Sequence, residues 1–259
     1  NLTITNLMAQ EIRLYTTQKL EEKIEITLDA EQSHYLAHVM RCKLGDYVSI
    51  FNGKDGQWQT EITSINKKSI AILPLMQTRQ QAASPDLWLV FSPIKNKTEL
   101  VVEKAVELGV SKILPIVTRH CVVRSVNIEK LTIYAISAAE QCERLDIPLF
   151  ETHKDLSYLL GEWDKDRILL YGDETGGGIS LTKILQNIEK NQKVAVLIGP
   201  EGGFAADELA MLRACNFTKA FGMGGRILRA DTAAVAALAC VQAQLGDWDE
   251  QPHFIGKAK

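Results

Sequence analysis

The chain has 259 residues, 46% of them hydrophobic and 24% charged, with a net charge of −3. That is the composition of a globular protein long enough for two domains or one large one. It excludes an apolar span of bilayer length, a basic-then-apolar secretory leader, and a bulk basic balance that would by itself signal nucleic acid. The five cysteines, Cys42, Cys121, Cys142, Cys215 and Cys240, are scattered and form no C-x-x-C pair. They read as reduced thiols of a cytoplasmic protein, with no disulfide framework and no metal site.

In chain order, Met8 reads as the natural start, with Asn1–Leu7 as an extension ahead of it. Short runs rich in β-branched and aromatic residues predict strands at Ile24–Leu28, Tyr47–Phe51, Gln57–Ile65 and Ser69–Leu75. Asn52-Gly53 and Lys54-Asp55-Gly56 supply hairpin chemistry between two of them. Glu31–Met40 is expected to be a short helix. His34 and His38 share one helical face, but no third metal ligand accompanies them. These elements fit a small β-barrel over residues 1–76. The polar stretch Gln77–Pro85 reads as the linker.

From residue 86 to 250 strands and helices alternate, which predicts a parallel α/β sheet. The expected strands are Leu87–Phe91, Lys112–Val117, Ile168–Tyr171, Val194–Ile198 and Ala220–Met223. The expected helices are Lys97–Leu108, Ile128–Glu143, Ile179–Ile188, Ala206–Ala214 and Ala230–Leu245. Residues 251–259 read as a C-terminal tail.

The stretch from Val194 to Ala237 carries most information. Two apolar strands each end in a glycine-rich turn: Gly199-Pro200-Glu201-Gly202-Gly203, and Gly224-Gly225-Arg226-Ile227-Leu228-Arg229. Glycine lets backbone N–H and C=O groups approach a ligand, and ligands of open α/β sheets bind at that edge. The spacing matches neither G-x-G-x-x-G nor G-x-x-x-x-G-K-[ST], so a nucleotide-binding reading is weak. Tight turns and helix caps would account for one such turn. They account less well for two, with Glu201, Arg226, Arg229 and Asp231 beside them.

GPEGGF and GGRILRADTA resemble the C-terminal signature of the bacterial 16S ribosomal RNA uridine-N3 methyltransferases, of the SPOUT class. The resemblance extends upstream through His34-Tyr35-Leu36, Val39-Met40-Arg41, Gly45-Asp46, Phe51-Asn52-Gly53, Glu103–Val110, Glu140–Arg144 and Pro148. It departs at Asp231, where the family more often has Glu, and at Met223, where Leu is usual. It implies a PUA-like, RNA-contacting barrel followed by a SPOUT α/β domain with a trefoil knot and a homodimer built on the last, alanine-rich helix. It also implies S-adenosylmethionine held by three loops. The first involves Leu170, Tyr171 and Gly172; the second Ile198, Gly199 and Gly202; the third Met223, Gly224, Ile227 and Leu228. Gly176-Gly177-Gly178 reads as a flexible loop or linker.

Methylation at N3 of uridine requires removal of the N3 proton and stabilisation of charge on O2 and O4. Arg229, then Arg226, is the candidate for the electrostatic role, because arginine stays charged and can fork onto carbonyl oxygens. Asp231 or Glu201 is the candidate proton acceptor. Each also has a plain structural role open to it: Asp231 at the start of the last helix, Glu201 in ordering its loop. Arg41, Lys43, Arg119, Arg124 and Arg144 are candidate contacts to 16S ribosomal RNA or the small subunit. The competing readings are another RNA target on the same fold, a non-catalytic RNA-binding module, and a nucleotide-binding α/β protein.

Overall fold

The computed structural model describes residues 12–82, 84–151 and 154–249. The proposed start at Met8, the extension Asn1–Leu7 and the tail 251–259 lie outside the described residues. The chain divides into two compact units.

The first unit holds β1 (Arg13–Tyr15), β2 (Ile26–Thr27), α1 (Ala30–His34), β3 (Tyr47–Phe51), β4 (Gln57–Ile65) and β5 (Ile70–Arg79). The sheet order is β1-β3-β4-β5-β2, with β1 parallel to β3 and every other pair antiparallel. The path is an open half-barrel. Its concave side is filled by Leu14, Leu36, Val48, Ile50, Ile62, Ile70 and Ile72. Asn52 accepts hydrogen bonds from the Lys54 and Asp55 backbone at 3.0 and 2.7 Å, which closes the β3–β4 turn. The expected helix Glu31–Met40 is half right: Asp29 caps α1, and from Tyr35 to Val39 the winding loosens to a π turn. β5 runs on through Gln77, Thr78 and Arg79, polar residues that read as linker in sequence but still pair with β4.

Residues 139–146 also belong to this unit. The buried Arg13 donates to the carbonyls of Ala139, Glu140 and Arg144 at 2.8–3.0 Å. Glu140 accepts from the Tyr15 backbone at 2.9 Å, and burial pushes its carboxyl up from the ordinary range. The capping of three carbonyls by one arginine explains how a strand can hold a charged residue at a buried position.

The second unit contains β6 (Leu87–Phe91), α2 (Thr98–Glu107), β7 (Lys112–Val117), most of α3 (Ile128–Gln141), β8 (Leu149–Phe150), β9 (Lys154–Asp155) and α4 (Leu156–Gly161). It continues with β10 (Ile168–Gly172), β11 (Ile179–Ser180), α5 (Leu181–Leu185), β12 (Val194–Ile198), α6 (Ala206–Ala214), β13 (Thr218–Gly222) and α7 (Ala230–Leu245). All its strands pair in parallel, in the order β11-β13-β10-β12-β6-β7-β8, with β9 on β7. Helices α4 and α6 cover one face through Leu156, Leu159, Leu209 and Leu212. On the other, α7 packs on β12, α2 and α5. Coverage on both faces is why β12 reads as an unbroken apolar run and is buried at all five positions. The expected helix Ile179–Ile188 opens instead as a two-residue strand beside β13, and only Leu181–Leu185 is helical.

Chain order and sheet order diverge where it matters. β12 inserts between β6 and β10, and β13 then pairs on the far side of β10. The loops after β10, β12 and β13 therefore leave three adjacent strands at the same, C-terminal edge. The two glycine turns read in the sequence are not on directly neighbouring strands, because β10 stands between them.

Candidate functional site

The first of these loops is fastened from beneath. The Asp173 side chain is fully buried. It accepts from the Thr175 backbone and hydroxyl at 2.9 and 2.5 Å, and pairs with Arg213 of α6 at 3.0 Å. Burial alone would raise its carboxyl, but the hydrogen bonds from Thr175 and Arg213 outweigh burial and hold it below the ordinary range. Gly178 passes so close to β13 that a Cβ would sit 2.5 Å from the Phe221 carbonyl carbon. The triple glycine that read as a linker is thus, at its last position, a packing requirement. Leu170 and Tyr171 are buried in β10, so only their backbone and that of half-buried Gly172 can face a ligand.

The second loop follows Ile198. Its turn is closed by the Gly203 N–H donating to the Pro200 carbonyl at 2.9 Å, with Gly203 at φ +70°. His120, from the loop after β7, places Nδ1 at 3.0 and 3.1 Å from the carbonyl oxygens of Gly202 and Gly203. Two acceptors facing one ring nitrogen require that nitrogen to carry the proton. Buried Glu208 joins the same region, accepting from the backbone of Arg119 at 2.9 Å and of Ala205 at 2.8 Å. Glu201 stands exposed at the loop's tip, within electrostatic reach of Cys121, as is the exposed Arg124.

The third loop, Met223 to Arg229, is open. Nothing stands within 4 Å of where a Cβ on Gly224 or Gly225 would project, and Gly224 takes φ +90°. Arg226 and Arg229 are exposed, and among the described residues neither forms an ion pair. Met223 and Leu228 are half-buried, and Ile227 is 88% exposed. Arg229 occupies the N-cap of α7 with extended backbone and no side-chain cap bond. Asp231, in the first turn, pairs with Lys97, the residue before α2. The hydrogen bond from Lys97 holds the Asp231 carboxyl below its ordinary value. That makes it a weaker base than a free aspartate.

The structure thus gathers Glu201, Gly199, Gly202, Met223, Gly224, Ile227, Leu228, Arg226 and Arg229 on one edge of the sheet. One expectation fails on burial. Arg144 is not a free surface cation: its side chain is 8% exposed and bonded to Asp146 at 2.6 Å. Arg119 is exposed but already meets Asp207 at 2.5 Å. Arg41, Lys43 and Arg124 are exposed. The sequence reading missed Lys97, His120, Asp173, Glu208 and Arg213. Only Asp173 had a local signal, a carboxylate directly after a buried strand.

Among the described residues, no three His, Cys, Asp or Glu side chains could hold a metal, and His34 stacks on His38 at 4.6 Å. None of the five cysteines is in a disulfide. No helix among the described residues is long and apolar enough to cross a membrane.

Residues 81–242 match the model of an RNA methyltransferase domain, and residues 28–75 that of an RNA methyltransferase PUA domain. The chain is 35% identical over 232 residues to the ribosomal RNA small subunit methyltransferase E of Rickettsia conorii, covering 89% of this chain and 94% of that one. The Bacillus subtilis protein of the same name is 27% identical over 241 residues, 88% and 94% of the two chains. Among solved structures, a methyltransferase of Legionella pneumophila with SAM bound superposes with a TM-score of 0.80 at 26% identity, covering 92% of this chain and all of that one. The Neisseria gonorrhoeae ribosomal RNA small subunit methyltransferase E, 23% identical over the same shares, gives 0.83 and shares the fold.

Proposed function

The chain belongs to the ribosomal RNA small subunit methyltransferase E family, and on that premise we propose that it methylates N3 of one uridine in 16S ribosomal RNA with S-adenosylmethionine. The observation that carries the reading is the convergence of three loops at one sheet edge, two with backbone groups held in place and one with open space over Gly224 and Gly225. That is a cradle fitted to a flat, edge-polar adenosine: backbone of Leu170, Tyr171, Gly172, Ile198, Gly199 and Gly202 on one side, Met223, Gly224, Ile227 and Leu228 on the other. Bound there, S-adenosylmethionine supplies a methyl group already activated by the sulfonium.

The remaining work falls to this chain's side chains. As the new N–C bond forms, the N3 proton leaves and charge builds on O2 and O4. Arg229, exposed and unpaired among the described residues, supports that charge; Arg226 is its neighbour in the role. The proton acceptor in this reading is Glu201 alone, since Asp231 is engaged by Lys97 and takes no part in the transfer. Arg41, Lys43 and Arg124 offer cations for phosphates that position the RNA, while the target base leaves its stack. The strand order, with β12 inserted between β6 and β10, supports a trefoil-knotted chain. The open third loop, with Ile227 uncovered, supports completion of the site by a second copy, as a homodimer. Ribosomal RNA as substrate supports a cytoplasmic location.

Isothermal titration with S-adenosylmethionine, followed by transfer to small-subunit RNA, tests the reading. Binding at one site per subunit or per dimer, with methyl transfer, is expected. A folded protein that binds none would leave an RNA-binding module.

A further inference from the structure

Asp231 is the sole acidic residue between Glu208 and Asp247, and it lies two residues after Arg229 and five after Arg226. A carboxylate this near in sequence to two exposed arginines offers them a partner of opposite charge. The structure gives it a different one. Its Oδ2 is taken by Lys97 Nζ, from a residue 134 positions earlier. The pair is half-sheltered, with the Asp231 side chain 15% and the Lys97 side chain 35% exposed. Lys97 reaches it from a fixed point: Asn96 adopts φ +61°, and Lys97 stands at the start of α2, where its backbone N–H donates to the Ile94 carbonyl at 3.2 Å. Helices α2 and α7 pack together, so both ends of the pair are anchored.

We infer that Lys97 sequesters Asp231, so that the guanidinium of Arg229 stays free of an intramolecular carboxylate and available to the substrate. Lys97 is then a positioning residue that acts through Asp231 on Arg229. The inference rests on the assignment of Arg229 above. It predicts an unusual rescue: Lys97 is needed only while Asp231 carries a charge. A mere brace between α2 and α7 also recovers once both charges are gone, because the unpaired, sheltered Asp231 carries the cost, but it leaves the Arg229 resonance unmoved in every variant.

The test compares Lys97→Met, Lys97→Arg, Asp231→Asn and Lys97→Met/Asp231→Asn with the wild type. Four quantities are read: kcat and KM for small-subunit RNA, S-adenosylmethionine Kd by titration, and the Arg229 Nε–H resonance in ¹⁵N-labelled protein. Lys97→Met should lower kcat about tenfold or more, with cofactor Kd within about twofold. Its Arg229 resonance should move as the guanidinium pairs with Asp231. Lys97→Arg should stay near wild type, and the double variant should recover both kcat and the wild-type resonance. A double variant as slow as Lys97→Met, an Arg229 resonance that does not move in Lys97→Met, or loss of transfer in Asp231→Asn alone would each overturn the inference. A wild type that transfers no methyl group would instead sink the functional reading, and the resonance would still decide the sequestration.

Discussion

The first and second glycine loops are tied to neighbouring elements by side chains, whereas the third is tied only where it ends. Asp173, Thr175 and Arg213 tie down the first, and His120 and Glu208 the second and its flanks. The third runs from Met223 to Arg229 with exposed glycines and arginines, and its first firm anchor is Asp231. The contrast fits a division of labour. A cofactor common to every turnover is met on one side by backbone that is already in place. A bulky RNA base must enter and leave past a wall that can adapt.

Removing a charge from the open wall should have the largest effect. Arg229→Ala should lower kcat on the order of 10²-fold while leaving S-adenosylmethionine Kd within a few fold. Parallel loss of cofactor binding in the titration would mean that Arg229 builds the pocket. On the fastened side the order of effects should reverse. Gly178→Ala drives a Cβ into β13 and should destabilise the fold by about 2–3 kcal/mol in urea denaturation, with activity following stability.

How much of this contrast the sequence showed depends on the range of the interaction. Val194–Ile198 and Ala206–Ala214 appear at their expected bounds, because a strand buried on both faces and a short helix with a distinct start carry their signals locally. The open loop was equally readable, since exposed glycines and arginines need no distant partner. Lys97 was read only as the start of a helix, because its partner lies 134 residues away and nothing local marks the pair. Arg144 likewise gives no sign in the sequence that its side chain is sheltered and bonded to Asp146. β1 was missed because a buried arginine contradicts strand patterning until the carbonyls it caps are known.

Asp173→Asn should cost about 2 kcal/mol of stability at neutral pH, through lost charge-assisted bonds to Thr175 and Arg213. The folded-state carboxyl of Asp173 is held low, so its contribution is present above the ordinary carboxylate range. That contribution is lost as pH falls through the lowered value. The wild-type advantage over Asp173→Asn should therefore shrink on acidification, in urea melts taken across that range. An advantage that grows at low pH would contradict the assigned direction. Smallest of all, Ile227→Ala should change monomer stability by less than about 0.5 kcal/mol, because the side chain is 88% exposed. If the wild type sediments as a dimer and the variant as a monomer, Ile227 belongs to a subunit interface; equal sedimentation of the two would remove it from one.

The most direct test of the central claim is nucleoside mass spectrometry of 16S RNA, free or in small subunits, after incubation with the protein and methyl-labelled S-adenosylmethionine. The loops and Arg229 as read here predict label in N3-methyluridine at one position per RNA. Label on a ribose 2′-oxygen, or no label from a protein that binds S-adenosylmethionine, would contradict it.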